Sequence, residues 1–280
     1  TGAVAQVTPV DGHTFTVTVD GVAGLGDLGL DLKATGTGIV DGVGNAIAGG
    51  FTGEVYAVDR VAPLVAGVTS ATADGVLPLG AETPLPVAYP ETVFVTGTPQ
   101  LKLETGAIDR VLDYALGDGT NTRTFNYTVQ AGDVSADLDY LAADALTLNG
   151  GAIVDATNLP AILTLPAPGA TGSLAANQAL VVDGIVPTVT AIARRTPLGA
   201  DLAVTSVTYR VTFSENVSGV DAADFEITRT GATSAQVGTV TAVDGATYDV
   251  TVESVASPGT LRLDLKGAGT DIEDAAHNAI

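Results

Sequence analysis

Residues 7 to 47 read VTPVDGHTFTVTVDGVAGLGDLGLDLKATGTGIVDGVGNAI, and residues 240 to 280 read VTAVDGATYDVTVESVASPGTLRLDLKGAGTDIEDAAHNAI. The two stretches align without a gap at a constant offset of 233, with 24 identities in 41 positions. Their differences fall mostly at turn-like sites, as happens when one structural unit is reused in series. Inside the repeat, Thr14 to Val19 alternates polar and β-branched or aromatic residues between Gly and Asp turns, and its copy Thr247 to Val252 does the same. That period of two predicts strands. The runs Arg123 to Val129 and Val207 to Phe213 extend the pattern through the chain, and no stretch reads as an amphipathic helix. The fold class expected is all-β: tandem β-sandwich modules, with both chain ends falling inside a module.

Two junctions share a spelling, Val58-Asp59-Arg60-Val61-Ala62-Pro63 and Val182-Asp183-Gly184-Ile185-Val186-Pro187. Proline drives its predecessor toward extended backbone, so each junction reads as a short, stiff connection. The two Asp residues lie 183 minus 59, or 124, positions apart, a length that suits one sandwich. The expected division is residues 1–60 as the C-terminal part of a module, 61–184 as a complete module, and 185–280 as a module lacking its last strand. The first module continues past the repeat with an alternating strand, Phe51 to Val58; the third ends at Ile280, and its sheet is therefore expected to expose an unpaired edge.

The 280 residues include 32 Asp and Glu against 11 Lys and Arg, a formal charge of −21, with no Cys, Met or Trp. Nucleic acid is an unsuitable partner, because phosphate binding needs clustered Lys and Arg. The 46% apolar content argues for a folded chain and against an acidic disordered tail. No apolar run approaches the roughly 18 residues of a membrane helix, so no membrane insertion is expected. Thr1 and the residues after it read as the middle of a repeat, with no charged n-region and apolar h-region in view, so both ends are expected to be cuts within a module.

VTFSENVSGVDAADFEIT (211 to 228), together with LRLDLKGAGTDIEDAAHNAI and the VDRVAP-type junction, resembles the bacterial immunoglobulin-like repeats of giant surface adhesins. The central stretch resembles the longer repeats of cyanobacterial swimming-motility surface proteins; it carries TADGVLPLGAETPLPVAYPETVFVTGTPQLKLETG (72 to 106), FNYTVQAGDVSADLDY (125 to 140) and LTLPAPGATGSLAANQALVVDG (163 to 184). The resemblance covers nearly the whole chain. It implies Ig-like sandwiches in a bacterial extracellular or cell-surface stalk, and it names no ligand.

Oxygen-bearing residues recur at matching places. Before the last strand come Asp41-Gly-Val-Gly-Asn45, Asp155-Ala-Thr-Asn158 and Asp274-Ala-Ala-His-Asn278; after an early strand come Tyr89-Pro90-Glu91 and Phe213-Ser214-Glu215. In a sandwich of this topology both loops lie at the end where the chain enters. Asp59, Glu91, Asp155 and Asn158 are thus expected at the first junction, and Asp183, Glu215, Asp274 and Asn278 at the second. Carboxylates and amide carbonyls are the hard oxygen donors of Ca²⁺, whereas Zn²⁺ is poorly served by two His and no Cys. Asp74, Asp137 and Asp139 are weaker candidates at the exit end of the central module. The competing reading is that these Asp and Asn residues cap turns without a metal.

Enzyme signals are weak. Gly24-Leu-Gly26-Asp-Leu-Gly29 spells GxGxxG, but the next residues read as a strand where a dinucleotide site needs a helix, and the copy at 257 to 262 keeps one of the three glycines. His13 aligns with Ala246 and His277 with Gly44, so the repeated unit requires neither imidazole. Tyr140 reads as a packed corner tyrosine. The functional expectation is a non-enzymatic structural extension region of a large adhesin, with Ca²⁺ rigidifying the junctions. Its partners would be neighbouring repeats, with any host or biofilm ligand bound elsewhere. A carbohydrate- or protein-binding module, or an accessory region of a secreted hydrolase, are the alternatives.

Overall fold

The computed structural model describes residues 1–199 and 203–280. It is 49% strand and 3% helix, which makes the protein all-β. The strands in the first sixty residues are β1 (Ala3–Pro9), β2 (Phe15–Asp20), β3 (Leu25–Gly29) and β4 (Val55–Asp59). The central region holds β5 (Gly67–Val68), β6 (Gly75–Pro78), β7 (Glu82–Thr96), β8 (Gln100–Glu104), β9 (Arg110–Leu116), β10 (Thr120–Thr128), β11 (Val134–Ser135), β12 (Asp139–Tyr140), β13 (Leu146–Thr147) and β14 (Ala152–Asp155). A single helical turn, α1 (Leu174–Asn177), and β15 (Leu180–Asp183) close it. The last region holds β16 (Val189–Thr196), β17 (Val207–Phe213), a 3₁₀ turn (Ala222–Asp224), β18 (Phe225–Gly231), β19 (Ser234–Ala242), β20 (Thr247–Ala256) and β21 (Gly259–Leu265).

In the central region an eight-stranded sheet, with the path β12-β8-β9-β10-β7-β14 and with β5 and β13 attached, faces the three-stranded sheet β11-β15-β6. Alternation along β10 puts Arg123, Phe125 and Tyr127 on the buried face, and Leu85, Val87 and Tyr89 do the same along β7. Leu77, Leu180 and Val182 close the core from the opposite sheet. In the last region β16-β17-β20-β19 faces β18-β21 over Val211, Phe213, Tyr248, Val250, Val252, Phe225 and Leu263. Phe213 and Tyr248 meet edge to face, with ring centroids 5.8 Å apart. The two cores are separate, one drawn from residues 65–182 and the other from 207–272.

The first sixty residues behave differently: β1 pairs with β2 and β3 with β4, and none of these residues is buried. Phe15, Val17, Val19, Leu30 and Ile39 are the copies of Tyr248, Val250, Val252, Leu263 and Ile272, which all belong to the last core. In the last region β17 beside β20 and β18 beside β21 widen the two facing sheets and complete this apolar core. In the first region no strand does so. The alternation Phe51 to Val58 shortens to β4; ahead of it, Gly53 lies so close to Leu30 that a Cβ there would sit 2.2 Å from the Leu30 carbonyl oxygen. Phe51 instead forms an isolated bridge with Leu32. The GxGxxG glycines lie in and beside β3, a strand with no helix after it. Tyr140 is buried and its hydroxyl donates to the carbonyl of Pro166.

Candidate metal centre

Each junction is an aspartate that ends a strand and turns the chain. Asp59 closes β4 and its Oδ1 accepts the Val61 N–H at 3.1 Å; Asp183 closes β15 and its Oδ1 accepts the Ile185 N–H at 3.1 Å. This side-chain turn at i+2 is what a short polar acid does well. It fixes the carboxylate at the boundary between one region and the next.

The second element is a loop closed on itself. Asp155 and Leu159 exchange bonds, the Asp155 N–H to the Leu159 carbonyl at 3.0 Å and the Leu159 N–H to Asp155 Oδ1 at 2.9 Å. Asp274 and Asn278 do the same at 3.2 and 2.9 Å, and Asp41 and Asn45 at 2.9 and 2.8 Å. The residue before the last position is left-handed in all three copies: Gly44 at φ 90, Asn158 at φ 66 and His277 at φ 68. This corrects the sequence alignment. Asn158 is the counterpart of His277 and is exposed, and the position of Asn278 is filled by Leu159 in the central region.

The third element is a glutamate from the body of the sandwich: Glu91 within β7, and Glu215 two residues beyond β17. One carboxylate oxygen from each of Asp59, Glu91 and Asp155 lies within 4.8 Å of the others, and the same holds for Asp183, Glu215 and Asp274. These are the two groups of three acidic side chains found among the described residues. Asp155 and Asp274 are buried, 2% and 4% exposed, and the other four are half-buried. Three like charges at this separation repel by amounts on the order of kcal/mol per pair. Burial first, then Asp59 and Asp155, hold the Glu91 carboxyl above its ordinary value. Burial first, then Asp274 and Asp183, do the same to Glu215. Burial also opposes ionisation of Asp155, but the Leu159 and Thr157 hydrogen bonds outweigh it and keep that carboxyl low.

The two clusters differ in one atom. Asp155 Oδ1 accepts the Thr157 N–H, the Thr157 hydroxyl and the Leu159 N–H, while its buried Oδ2 has no hydrogen-bond partner. Asp274 Oδ2 accepts the Asn278 side-chain N–H at 2.9 Å. Asn278, 3% exposed, also donates to the carbonyls of Asp183 and Ile185, both at 3.0 Å, and accepts the Leu79 N–H at 2.7 Å. One side chain thus ties the last region to both the junction and the β6 edge of the central region. Leu79 and Leu159 escaped sequence reasoning because the first acts through its backbone and the second by lacking an amide.

Asp74, Asp137 and Asp139 join neither cluster. Asp74 Oδ1 accepts the Ala179 N–H at 2.9 Å; Asp139 is buried and accepts the Tyr140 and Gly169 N–H groups, each at 2.9 Å; Asp137 is exposed. For Asp74 and Asp139 the backbone amides take the role that a cation would otherwise fill.

Three carboxylates drawn from three separate segments are hard donors suited to Ca²⁺. Oxygens held about 2.3–2.6 Å from one calcium ion lie at most about 5 Å apart, and both clusters fit inside that span. The orphaned Asp155 Oδ2 supplies an independent reason, since a buried carboxylate oxygen without a donor is costly to leave unsatisfied. No protein-family model matches the chain, and a search of curated proteins finds no significant match.

Proposed function

We propose that this chain is a structural extension segment of a bacterial surface or secreted adhesin, built from tandem sandwiches whose junctions are set by calcium. Asp59, Glu91 and Asp155 would hold one ion, and Asp183, Glu215 and Asp274 a second. When bound, the ion supplies two positive charges against three crowded carboxylates, turning mutual repulsion into a cross-link between the end of one region and the entry loops of the next. The cores contain no part of these sites, so ion removal would free the first junction and leave the sandwiches folded, the Asn278 hydrogen bonds still holding the second.

The observation that carries the reading is the recurrence of a three-carboxylate cluster at both junctions, one of them with a buried oxygen lacking a donor. The deciding experiment pairs calorimetric calcium titration with small-angle scattering in calcium and in chelator. Binding accompanied by a longer, narrower particle is expected. Absence of binding together with superimposable scattering curves would return these residues to the role of turn caps.

A further inference from the structure

Buried residues along β7 include Leu85, Val87, Tyr89 and Val93, and along β17 and the residues after it Val207, Tyr209, Val211, Phe213 and Val217. Glu91 and Glu215 both fall on the inward row of that period of two. A regular strand would carry each carboxylate into its core, at a heavy cost in desolvation. The chain bulges instead, as strands do beside sites that must re-aim a side chain. Thr120 pairs with Val93 and Thr122 with Ala88, so Tyr89 to Thr92 stand against Asn121 alone. In the last region the Phe213 N–H bonds the Ala246 carbonyl at 2.8 Å and the Val217 N–H bonds the Gly245 carbonyl at 2.9 Å, so Ser214, Glu215 and Asn216 are extra residues between adjacent partners.

Each bulge is closed by a side chain from the strand beside it. Arg123 stands opposite Val87 in β10, and Tyr248 opposite Val211 in β20; each faces the residue two before the aromatic that opens the bulge. The Arg123 guanidinium donates to the Val93 carbonyl, and to those of Gly117, Thr120 and Thr122 in its own hairpin. The Tyr248 hydroxyl donates to the Val217 carbonyl at 2.8 Å. Val93 and Val217 each lie two residues beyond the glutamate. Their segments also meet the aspartate loop: Val93 pairs with Asp155, and Ser218, next to Val217, bridges Glu273, next to Asp274. The pinned carbonyl thus belongs to the stretch that sets each glutamate against its buried aspartate. A guanidinium and a phenol reach it from the same place in two different sheets.

We propose that Arg123 and Tyr248 are positioning residues for the two acidic clusters, each pinning a bulge so that Glu91 or Glu215 already faces its aspartates before a cation arrives. The consequence for calcium rests on the function proposed above, whereas the pinning is a property of the ion-free chain. A carboxylate left loose would have to be ordered by the ion itself, which lowers affinity.

The test uses the intact chain. Tyr248→Phe removes one oxygen atom and keeps the ring that meets Phe213. In chelator, the Val217 and Ser218 amides, bonded to the Gly245 and Glu273 carbonyls at 2.9 and 2.8 Å, should exchange about tenfold faster, and the amides of β7 should keep their wild-type rates. Calcium affinity at the second site should fall about tenfold, with the first site unchanged. Arg123→Lys, which keeps the buried charge and loses the planar fork, should weaken the first site alone; should that variant not fold, the Tyr248 arm decides. Chains that also carry Glu91→Gln leave the second site to titrate, and chains with Glu215→Gln leave the first. Unchanged exchange in Tyr248→Phe, or an equal rise at every amide of the last region, overturns the pinning. A localised rise with unaltered calcium affinity overturns its service to the site. A localised rise in a chain whose wild type binds no calcium upholds the pinning and overturns the calcium reading instead.

Discussion

Leu159 and Asn278 occupy one position in two copies of a loop, each donating its backbone N–H at 2.9 Å to the Oδ1 of the aspartate four residues earlier. Their side chains decide what happens to the other carboxylate oxygen. Asn278 satisfies it, and Leu159 leaves it bare. The first junction accordingly keeps a buried oxygen without a donor, while the second holds a side-chain clasp of its own.

Leu159→Asn tests that difference. An amide at 159 would donate to Asp155 Oδ2 as its counterpart does, relieving an orphan that costs on the order of 1–3 kcal/mol. In chelator, the variant's central region should melt at a higher temperature than wild type. Calcium affinity at the first junction should fall, because the oxygen is already engaged. Calorimetry and thermal scans read both outcomes.

Asn278→Ala removes the clasp. Four hydrogen bonds are lost and the Leu79 N–H loses its acceptor, for a cost on the order of 1–3 kcal/mol. Spin labels on the central and last regions should report a broader distance distribution in chelator for the variant than for wild type. In wild type, the second junction should already be narrow without calcium.

Glu91→Gln separates charge from shape. In the absence of an ion the Glu91 carboxyl is held above its ordinary value near 4.5, so its contribution to stability is present below that value and is lost as pH rises through the folded-state value. In chelator at neutral pH the variant should therefore be the more stable protein. That advantage should shrink as pH is lowered through the glutamate range, and with saturating calcium the order should reverse. Melting temperatures across pH, with and without calcium, supply the check.

The Arg210–Asp249 pair bridges β17 and β20, with bonds at 2.9 and 3.0 Å. The Arg210 guanidinium holds the Asp249 carboxyl below its ordinary value of 3.8. The sign is opposite to that of Glu91: this stability is present above 3.8 and fades as pH falls through the lowered value. Arg210→Met should make the last region's melting temperature less steeply dependent on pH in the acid range, which calorimetry of the chain at a series of pH values resolves.

The architecture was legible because alternation and the 233-residue repeat carry it: Val207 to Phe213 is β17 residue for residue, and Thr247 to Val252 lies within β20. The six clustered acids were legible because each junction Asp sits four residues before a proline and each Glu lies two residues after an aromatic one. Asn158 misled because its tetrad is one residue shorter than Asp274 to Asn278, and only backbone angles show that it matches His277. Arg123 was illegible for another reason. It lies fully buried in β10 and its guanidinium donates to the carbonyls of Val93, Gly117, Thr120 and Thr122. Main-chain acceptors have no residue identity to read. The same burial leaves the Tyr89 hydroxyl without a partner and pushes it up to about 12.

In the central region β15 runs parallel to β6, with Leu180, Val181, Val182 and Asp183 opposite Gly75, Val76, Leu77 and Pro78. Once β5 and the Leu64–Ile162 bridge are released, tension along the chain pulls β6 from its Gly75 end and β15 from its Asp183 end. Those are opposite ends of one ladder, so the strands are dragged past each other and every rung shares the load at once. An antiparallel terminal pair would be peeled one rung at a time from the end where both tethers leave. The direction of a single short strand thus gives the sandwich resistance to pulling that its modest ladder length alone would not predict.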